Sequence, residues 1–424
     1  MRKLLFPAAL AFATIASGAR AADDPNPALT DPDKTNWLLF LEVNADAKTA
    51  DNNNALFETW ASDADTFQTN PQWPTTPSVL ALKPRALSLV ARLRKPTGLQ
   101  PQVIAGGLQT EETRRNKPDF EFIVSNNLYK VSGLAAAFAG GKPLSFPLDS
   151  LEVKANWVLV DNLKDYNGFT GSAADAAKTY HVNSATDPTT GKKLTYALVA
   201  MHVISKLVPN WTWATFEHKD NPGRCDVLGC VDAFGAQQAF MAPQSAVESA
   251  LPVGTSNWPP PTAIHYADCA KTPALLGLFA KAKIDPAYMN YCLKGSQTDF
   301  TDPNGLVNRV GNSVTELGFV PYASCMTCHA RSAFDRTGHA TTFAGFDPTS
   351  IATPKSSGNA PIGTPHADWY FVPGGDPPQM PSVAHETDLF QYAVAADFVW
   401  SVPFCAIDDT ANPPETTSRF CGGK

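Results

Sequence analysis

Apolar positions along the chain repeat with two different periods. From Asn36 to Val43 and from Asn54 to Ala61, Trp37, Phe40, Phe57 and Trp60 recur at helical intervals, which predicts two early helices. Leu151 to Val160 and Thr195 to Ile204 are rich in β-branched and aromatic residues and read as strands. Between them, Asn183 to Lys193 is dominated by polar turn formers and reads as a surface loop. In the run from Trp211 to Asn221, alternation places Trp211, Trp213, Thr215 and Glu217 on one strand face and Thr212, Phe216 and His218 on the other. Met201 and His202 fall on a neighbouring strand. Near the C-terminus, Leu389, Tyr392, Ala393, Ala396, Val399 and Trp400 share one face at the helical period, which predicts a helix from Thr387 to Trp400 that Pro403 ends.

The N-terminal residues change the picture of where the chain works. Arg2 and Lys3 precede an apolar stretch from Leu4 to Ala16 and a small-residue cleavage site at Ala19-Arg20-Ala21, the pattern of an export signal. Residues 1–21 are therefore expected to be removed, leaving a periplasmic protein that starts near Ala22. The apolar stretch is shorter than the ~20 residues needed to span a bilayer, and no later segment is longer, so no membrane span is expected. The formal net charge is −7. It becomes more negative once Arg2, Lys3 and Arg20 leave, which disfavours nucleic acid and reads either as a surface for a basic redox protein partner or as solvated charge kept for solubility.

An exported chain keeps its cysteines oxidised unless they have other work. Of the 8 cysteines, two form the most specific pattern in the chain, Cys325-Met326-Thr327-Cys328-His329. Thiols separated by two residues reach the two vinyl groups of one haem, and a histidine directly after the second lies beneath the iron. A zinc knuckle would need a second pair of ligands at matching spacing, whereas Cys225 and Cys230 have four residues between them. A redox dithiol would follow a strand in a βαβ unit, whereas Tyr322 to Phe334 reads as a loop opening into a short helix. The six remaining cysteines allow about 15 pairings. Proximity along the chain favours Cys225 with Cys230, Cys269 with Cys292, and Cys405 with Cys421.

With one such motif, the expected cofactor is a single covalent haem c, attached through Cys325 and Cys328 with His329 as its proximal ligand. Met380, held between prolines in Pro377-Pro378-Gln379-Met380-Pro381, is the favoured sixth ligand, because a rigid loop presents its sulfur at little entropic cost. His339 and His385 are the next candidates, and an open sixth position would turn the protein toward ligand binding. Upstream, Glu217 and His218 read either as a proton-transfer pair near the haem or as the end of a structural strand. The second reading is favoured.

The C-terminal part, a loop methionine followed by a helix, resembles a class I cytochrome c. In addition, Asn36 to Phe40, Phe57 to Trp60, Leu151 to Trp157, Trp211 to Asn221, Ser324 to Ala330 and Thr387 to Phe404 resemble recurring segments of large bacterial cytochrome c family proteins. That resemblance covers most of the mature chain and implies a periplasmic haem protein, without implying a reaction. The combined expectation is an α+β fold: an upstream mixed α/β region over 22–300 and a mostly α-helical, cytochrome c-like haem region over 301–424. One fused domain with the haem in a cleft is the alternative. Single-electron transfer is the expected function. The rivals are a haem-dependent oxidoreductase with a small-molecule substrate site upstream, and a sensor of gaseous ligands with an open iron.

Overall fold

A computed structural model of the chain describes residues 26–47, 54–75, 83–84, 109–186, 190–221, 224–225, 228–238, 269–305, 307–316, 323–341, 364–365, 370–373, 389–416 and 421. The proposed signal at 1–21, Met380 and His385 lie outside these residues.

The molecule is organised by one eight-stranded antiparallel sheet. Its strands are β1 (Ala61–Ser62), β2 (Lys83–Pro84), β3 (Gln109–Arg115), β4 (Leu151–Leu159), β5 (Val182–Thr186), β6 (Lys193–Ser205), β7 (Thr212–His218) and β8 (Tyr291–Gln297). The order is β1-β3-β4-β6-β7-β8, with β2 on β3 and β5 on β6. β4, β6 and β7 match the strands expected from the sequence. The expected loop at 183–193 instead begins as β5, which folds back on β6 from Val182↔Ala197 to Thr186↔Lys193.

Successive residues of a strand point to opposite faces, so each face of the sheet carries its own set of side chains. One face is apolar. Val153, Ala155 and Trp157 of β4, Met201 and Val203 of β6, and Ala214 and Phe216 of β7 pack there with Trp37 and Phe40. Those two rings belong to α1 (Pro32–Val43), the first predicted helix, which starts on a proline and ends where Asn44 Nδ2 bonds the Phe40 carbonyl at 2.8 Å. Phe216 meets Phe40 at 4.3 Å and Trp37 at 5.0 Å between ring centroids. The second predicted helix is reduced to a 3-10 turn, Leu56–Thr59, which runs into β1.

The opposite face is polar in its middle, with Lys154, His202 and Thr215 in register across β4, β6 and β7. Toward the end of the strands it becomes apolar again. Ile204, Trp211 and Trp213 meet Ile123 of α2 (Lys117–Ser125), Leu134 of α3 (Val131–Ala139), and Met326, Phe334, Val394 and Val399 from beyond residue 301. This core therefore draws side chains from both sides of the boundary expected at 300.

The expectation of a mostly α-helical haem region, and with it the α+β description, is corrected by the structure. Among the described residues after 301, the helices are α5 (Cys325–Ala330) and α6 (Ser401–Cys405), after α4 (Pro273–Phe279) upstream. The remaining elements are two-stranded pairs: β9 (Ala333–Phe334) with β12 (Val394–Ala395), β10 (Phe371–Pro373) with β11 (Leu389–Gln391), and β13 (Ile407–Asp408) with β14 (Glu415–Thr416). β11 and β12 occupy the stretch expected to be the helix Thr387–Trp400. No helix among the described residues is long and apolar enough to cross a membrane.

The cysteines pair as chain proximity predicted: Cys225–Cys230, Cys269–Cys292 and Cys405–Cys421. Cys325 and Cys328 are free thiols.

Candidate functional site

α5 is one and a half turns long, too short to stand without anchors. Gln297 at the end of β8 supplies two of them: its Nε2 donates to Ser324 Oγ at 3.0 Å and its Oε1 accepts from the Met326 amide at 3.2 Å. Met326 is fully buried in the core shared with Trp213 and Val394. The helix is thereby nailed to the sheet, with Cys325 and Cys328 one turn apart on its partly exposed side.

His329 follows at the point where the helix meets the C-terminal turn. Its Nδ1 is 2.8 Å from the Phe398 carbonyl oxygen, which requires Nδ1 to carry a proton and leaves Nε2 as the lone-pair nitrogen. Its ring lies against Trp213, with centroids 4.6 Å apart and planes at 53°. Trp400 Nε1 donates to the Cys328 carbonyl at 3.2 Å, and the Tyr370 hydroxyl donates to that of Ala330. Four segments, β7, residue 370, the 397–400 turn and β8, thus converge on a six-residue helix.

The electrostatics of the three motif residues follow from their surroundings. Desolvation by the surrounding protein pushes the Cys325 thiol well above its usual range, and Glu316 adds to the effect. The same desolvation raises Cys328 to about 11, with Arg331 opposing it. His329 is pushed down to about 4, again first by desolvation, against the pull of the Phe398 carbonyl. At neutral pH the site therefore presents two neutral thiols and a neutral imidazole. That state disfavours a redox dithiol, whose attacking cysteine needs a depressed pKa. A neutral imidazole with its second nitrogen hydrogen-bonded is the form that ligates a metal.

A second group of polar residues lines the middle of the same sheet face. His202 Nε2 lies 3.2 Å from Glu316 Oε1 and 3.3 Å from Asn312 Nδ2. Asn312 also donates to Thr215 Oγ1 at 2.8 Å, and its amide meets Glu316 Oε2 at 2.6 Å. Burial alone would raise Glu316, but His202 and the Asn312 amide outweigh it and hold the carboxyl below its usual range. Cys325 Sγ lies 3.2 Å from the Val310 carbonyl, two residues before Asn312, which places this group beside the motif.

Of the residues singled out from sequence, Cys325, Cys328 and His329 are brought together on α5. His339 is turned to Thr337 and Asp408, with Nε2 3.7 Å from the Asp408 carboxylate. Glu217 and His218 do not form a pair, because adjacent strand residues point to opposite faces. Glu217 faces the motif side and accepts from the Ser313 amide and hydroxyl, each at 2.7 Å. His218 faces the other way, stacks on Tyr180 at 3.7 Å, and is pushed by burial to about 3. The sequence reading passed over Trp213 as a neighbour of His329, along with Asn312, Glu316 and Asp397. For Trp213 the signal existed, since alternation put it on the same face as Thr215 and Glu217.

Among the described residues, no three His, Cys, Asp or Glu side chains are grouped so as to hold a metal ion by themselves. A zinc knuckle thus finds no second ligand pair there, whereas a haem brings its own four nitrogens and asks the chain for axial ligands and tethers. Comparisons with protein-family models, curated proteins and solved structures returned no match.

Proposed function

We propose that this chain is a periplasmic c-type cytochrome that holds one haem on Cys325, Cys328 and His329 and serves single-electron transfer with a redox protein partner. The observation that carries this reading is the sorting of the cysteines: six are paired in disulfides, and the two free thiols lie one turn apart, directly before a histidine whose Nδ1 is already bonded. The three disulfides also accord with an exported protein.

A haem bound here supplies an iron centre that takes up and gives back one electron. Cys325 and Cys328, as neutral thiols, would each add across one vinyl group, with the sulfhydryl proton going to the adjacent carbon and no leaving group. His329 would hold the iron through Nε2, its tautomer set by the Phe398 carbonyl. Trp213 and Met326 keep water from the imidazole side. Met380 remains the proposed sixth ligand on sequence grounds, as a thioether that favours the reduced state.

A second reading, a haem-dependent oxidoreductase, draws on the buried His202–Glu316–Asn312 group beside the motif, which has the make-up of a proton-handling site. Optical spectra decide between the two. Expressed with export and haem-ligation machinery, the carrier should be low-spin in both oxidation states and should not bind carbon monoxide when reduced. Met380→Ala should abolish the sulfur-to-iron charge-transfer band and open the iron to carbon monoxide. A reduced wild-type protein that binds carbon monoxide avidly, or a haem reduced directly by a small-molecule donor and not by redox proteins, would overturn the carrier reading.

A further inference from the structure

Resting on the haem reading above, we propose that Asp397 is a positioning residue for His329: it holds the left-handed Asp397–Phe398 turn in place and thereby aims the main-chain carbonyl that aligns the imidazole.

The hydrogen-bond acceptor for His329 Nδ1 is a backbone carbonyl, so its direction is set by the conformation of the turn that carries it. That turn is unusual. Asp397 and Phe398 have φ of 50° and 71°, and neither is glycine. A bulky residue such as Phe398 does not choose the left-handed region by itself and stays there only where its surroundings over-determine the backbone.

Asp397 supplies the over-determination. It is only 8% exposed. Its carboxylate is 2.5 Å from Lys206 Nζ and 3.3 Å from Trp211 Nε1 through one oxygen, and accepts from the Phe146 amide at 2.7 Å through the other. Those partners come from the end of β6, the start of β7 and the segment after α3. Lys206 is itself fixed by a bond to the Pro209 carbonyl at 2.7 Å. On either side of the turn, Ala396 donates to the Ser332 carbonyl at 2.8 Å and Val399 accepts from Ser332 Oγ at 2.9 Å. The backbone is thus gripped before, within and after the left-handed pair, while the Phe398 carbonyl faces His329.

A buried ion pair contributes little net stability, because desolvating two charges offsets their attraction. This pair sits where a strained carbonyl must be aimed, which gives it a role beyond stability. A hydrogen bond to the far nitrogen of a metal-bound imidazole fixes the ring orientation and raises the ligand's basicity, favouring the oxidised metal. Releasing the turn loosens the ring and weakens that donation.

The test compares haem-loaded wild type with Asp397→Asn, Asp397→Ala and the control Asp232→Asn. Asp232 is likewise a buried carboxylate bonded to a tryptophan, with Trp37 Nε1 at 2.8 Å, but it lies against α1 on the opposite face. All four should carry haem at equal stoichiometry. In Asp397→Ala the midpoint potential should rise by the equivalent of about a tenfold change in the redox equilibrium, ~59 mV for one electron, and the ferric electron paramagnetic resonance signal should broaden as the imidazole samples several orientations. Asp397→Asn keeps an acceptor for Trp211 and Phe146 but loses the charge facing Lys206, so it should shift in the same direction by less, and it serves should the alanine variant fail to fold. Asp232→Asn should lower thermal stability while leaving potential and spectrum at wild-type values. Wild-type potential and spectrum in the Asp397 variants, or equal shifts in the Asp232 control, would overturn the proposal. A wild type that carries no haem would instead bring down the underlying cytochrome reading, so the two failures are distinguishable.

Discussion

His181 lies fully buried between two carboxylates, with Nε2 3.0 Å from Glu58 and Nδ1 3.1 Å from Asp285, and its ring stacks on Tyr288 at 4.8 Å. Burial alone would lower its pKa, but Glu58 and Asp285 together overcome that and raise it to about 9. A histidine whose folded pKa is raised stabilises the fold fully below its unfolded value of ~6.5 and loses that contribution as pH rises through the folded value. Unfolding free energy measured in denaturant should therefore fall between about pH 6.5 and pH 9, by up to roughly 3 kcal/mol if no other group titrates. His181→Gln should flatten that slope. An unchanged slope in the variant would show that His181 is neutral in the folded protein. Asp397 and Phe398 work against stability instead: two non-glycine residues at positive φ each cost on the order of 1–2 kcal/mol, a cost set against the fixed direction of one carbonyl.

At the scale of elements, the region from 387 to 405 explains what sequence periodicity reads and what it misses. Ala393, Ala396 and Val399 are buried and recur every three residues, which mimics a helical stripe. The spacing instead comes from β12 pairing with β9 through Val394↔Phe334, followed by a tight turn that returns the chain to the core. A helix would need right-handed φ at Asp397 and Phe398, and the bonds that prevent it reach residues 206 and 146, far away in sequence. Local pattern carries no trace of them. By contrast α1, β4, β6 and β7 were legible because each is buried by its own period, and the three disulfides because short loops close most readily. α5 depends on another element in the same way as the 397–398 turn. Replacing Gln297 with Met keeps the volume but removes both bonds to Ser324 and Met326, leaving the Met326 amide without that partner while Ser324 Oγ keeps its bond to Thr327 Oγ1 at 3.0 Å. It should cost about 1–3 kcal/mol in denaturant unfolding, and limited proteolysis should cut first near 325–330. Wild-type stability would mean that the Met326 core contact and the bonds with Tyr370, Phe398 and Trp400 hold the helix without Gln297.

Over the whole molecule, one sheet separates two kinds of work. Its apolar face, closed by Trp37, Phe40 and Phe216, supplies the packing that keeps the strands in register. Its other face presents Trp213, Thr215 and His202 toward α5, so the motif is backed by strands formed more than a hundred residues earlier. The motif residues themselves were legible as a five-residue string, because two cysteines and a histidine at fixed spacing can be read without their surroundings. Their setting was not, because the period of Ala393, Ala396 and Val399 mimics a helix face while the described residues there form the short strands β11 and β12. Haem attachment at those five residues is decided by the intact mass of the purified, exported protein. Wild type should weigh more than its disulfide-bonded mature polypeptide by one haem, an increment that survives denaturation, and the Cys325→Ala/Cys328→Ala double variant should weigh only its polypeptide. A wild-type mass accounted for by its amino acids alone, in cells whose haem-ligation machinery is active on a control cytochrome, would contradict it.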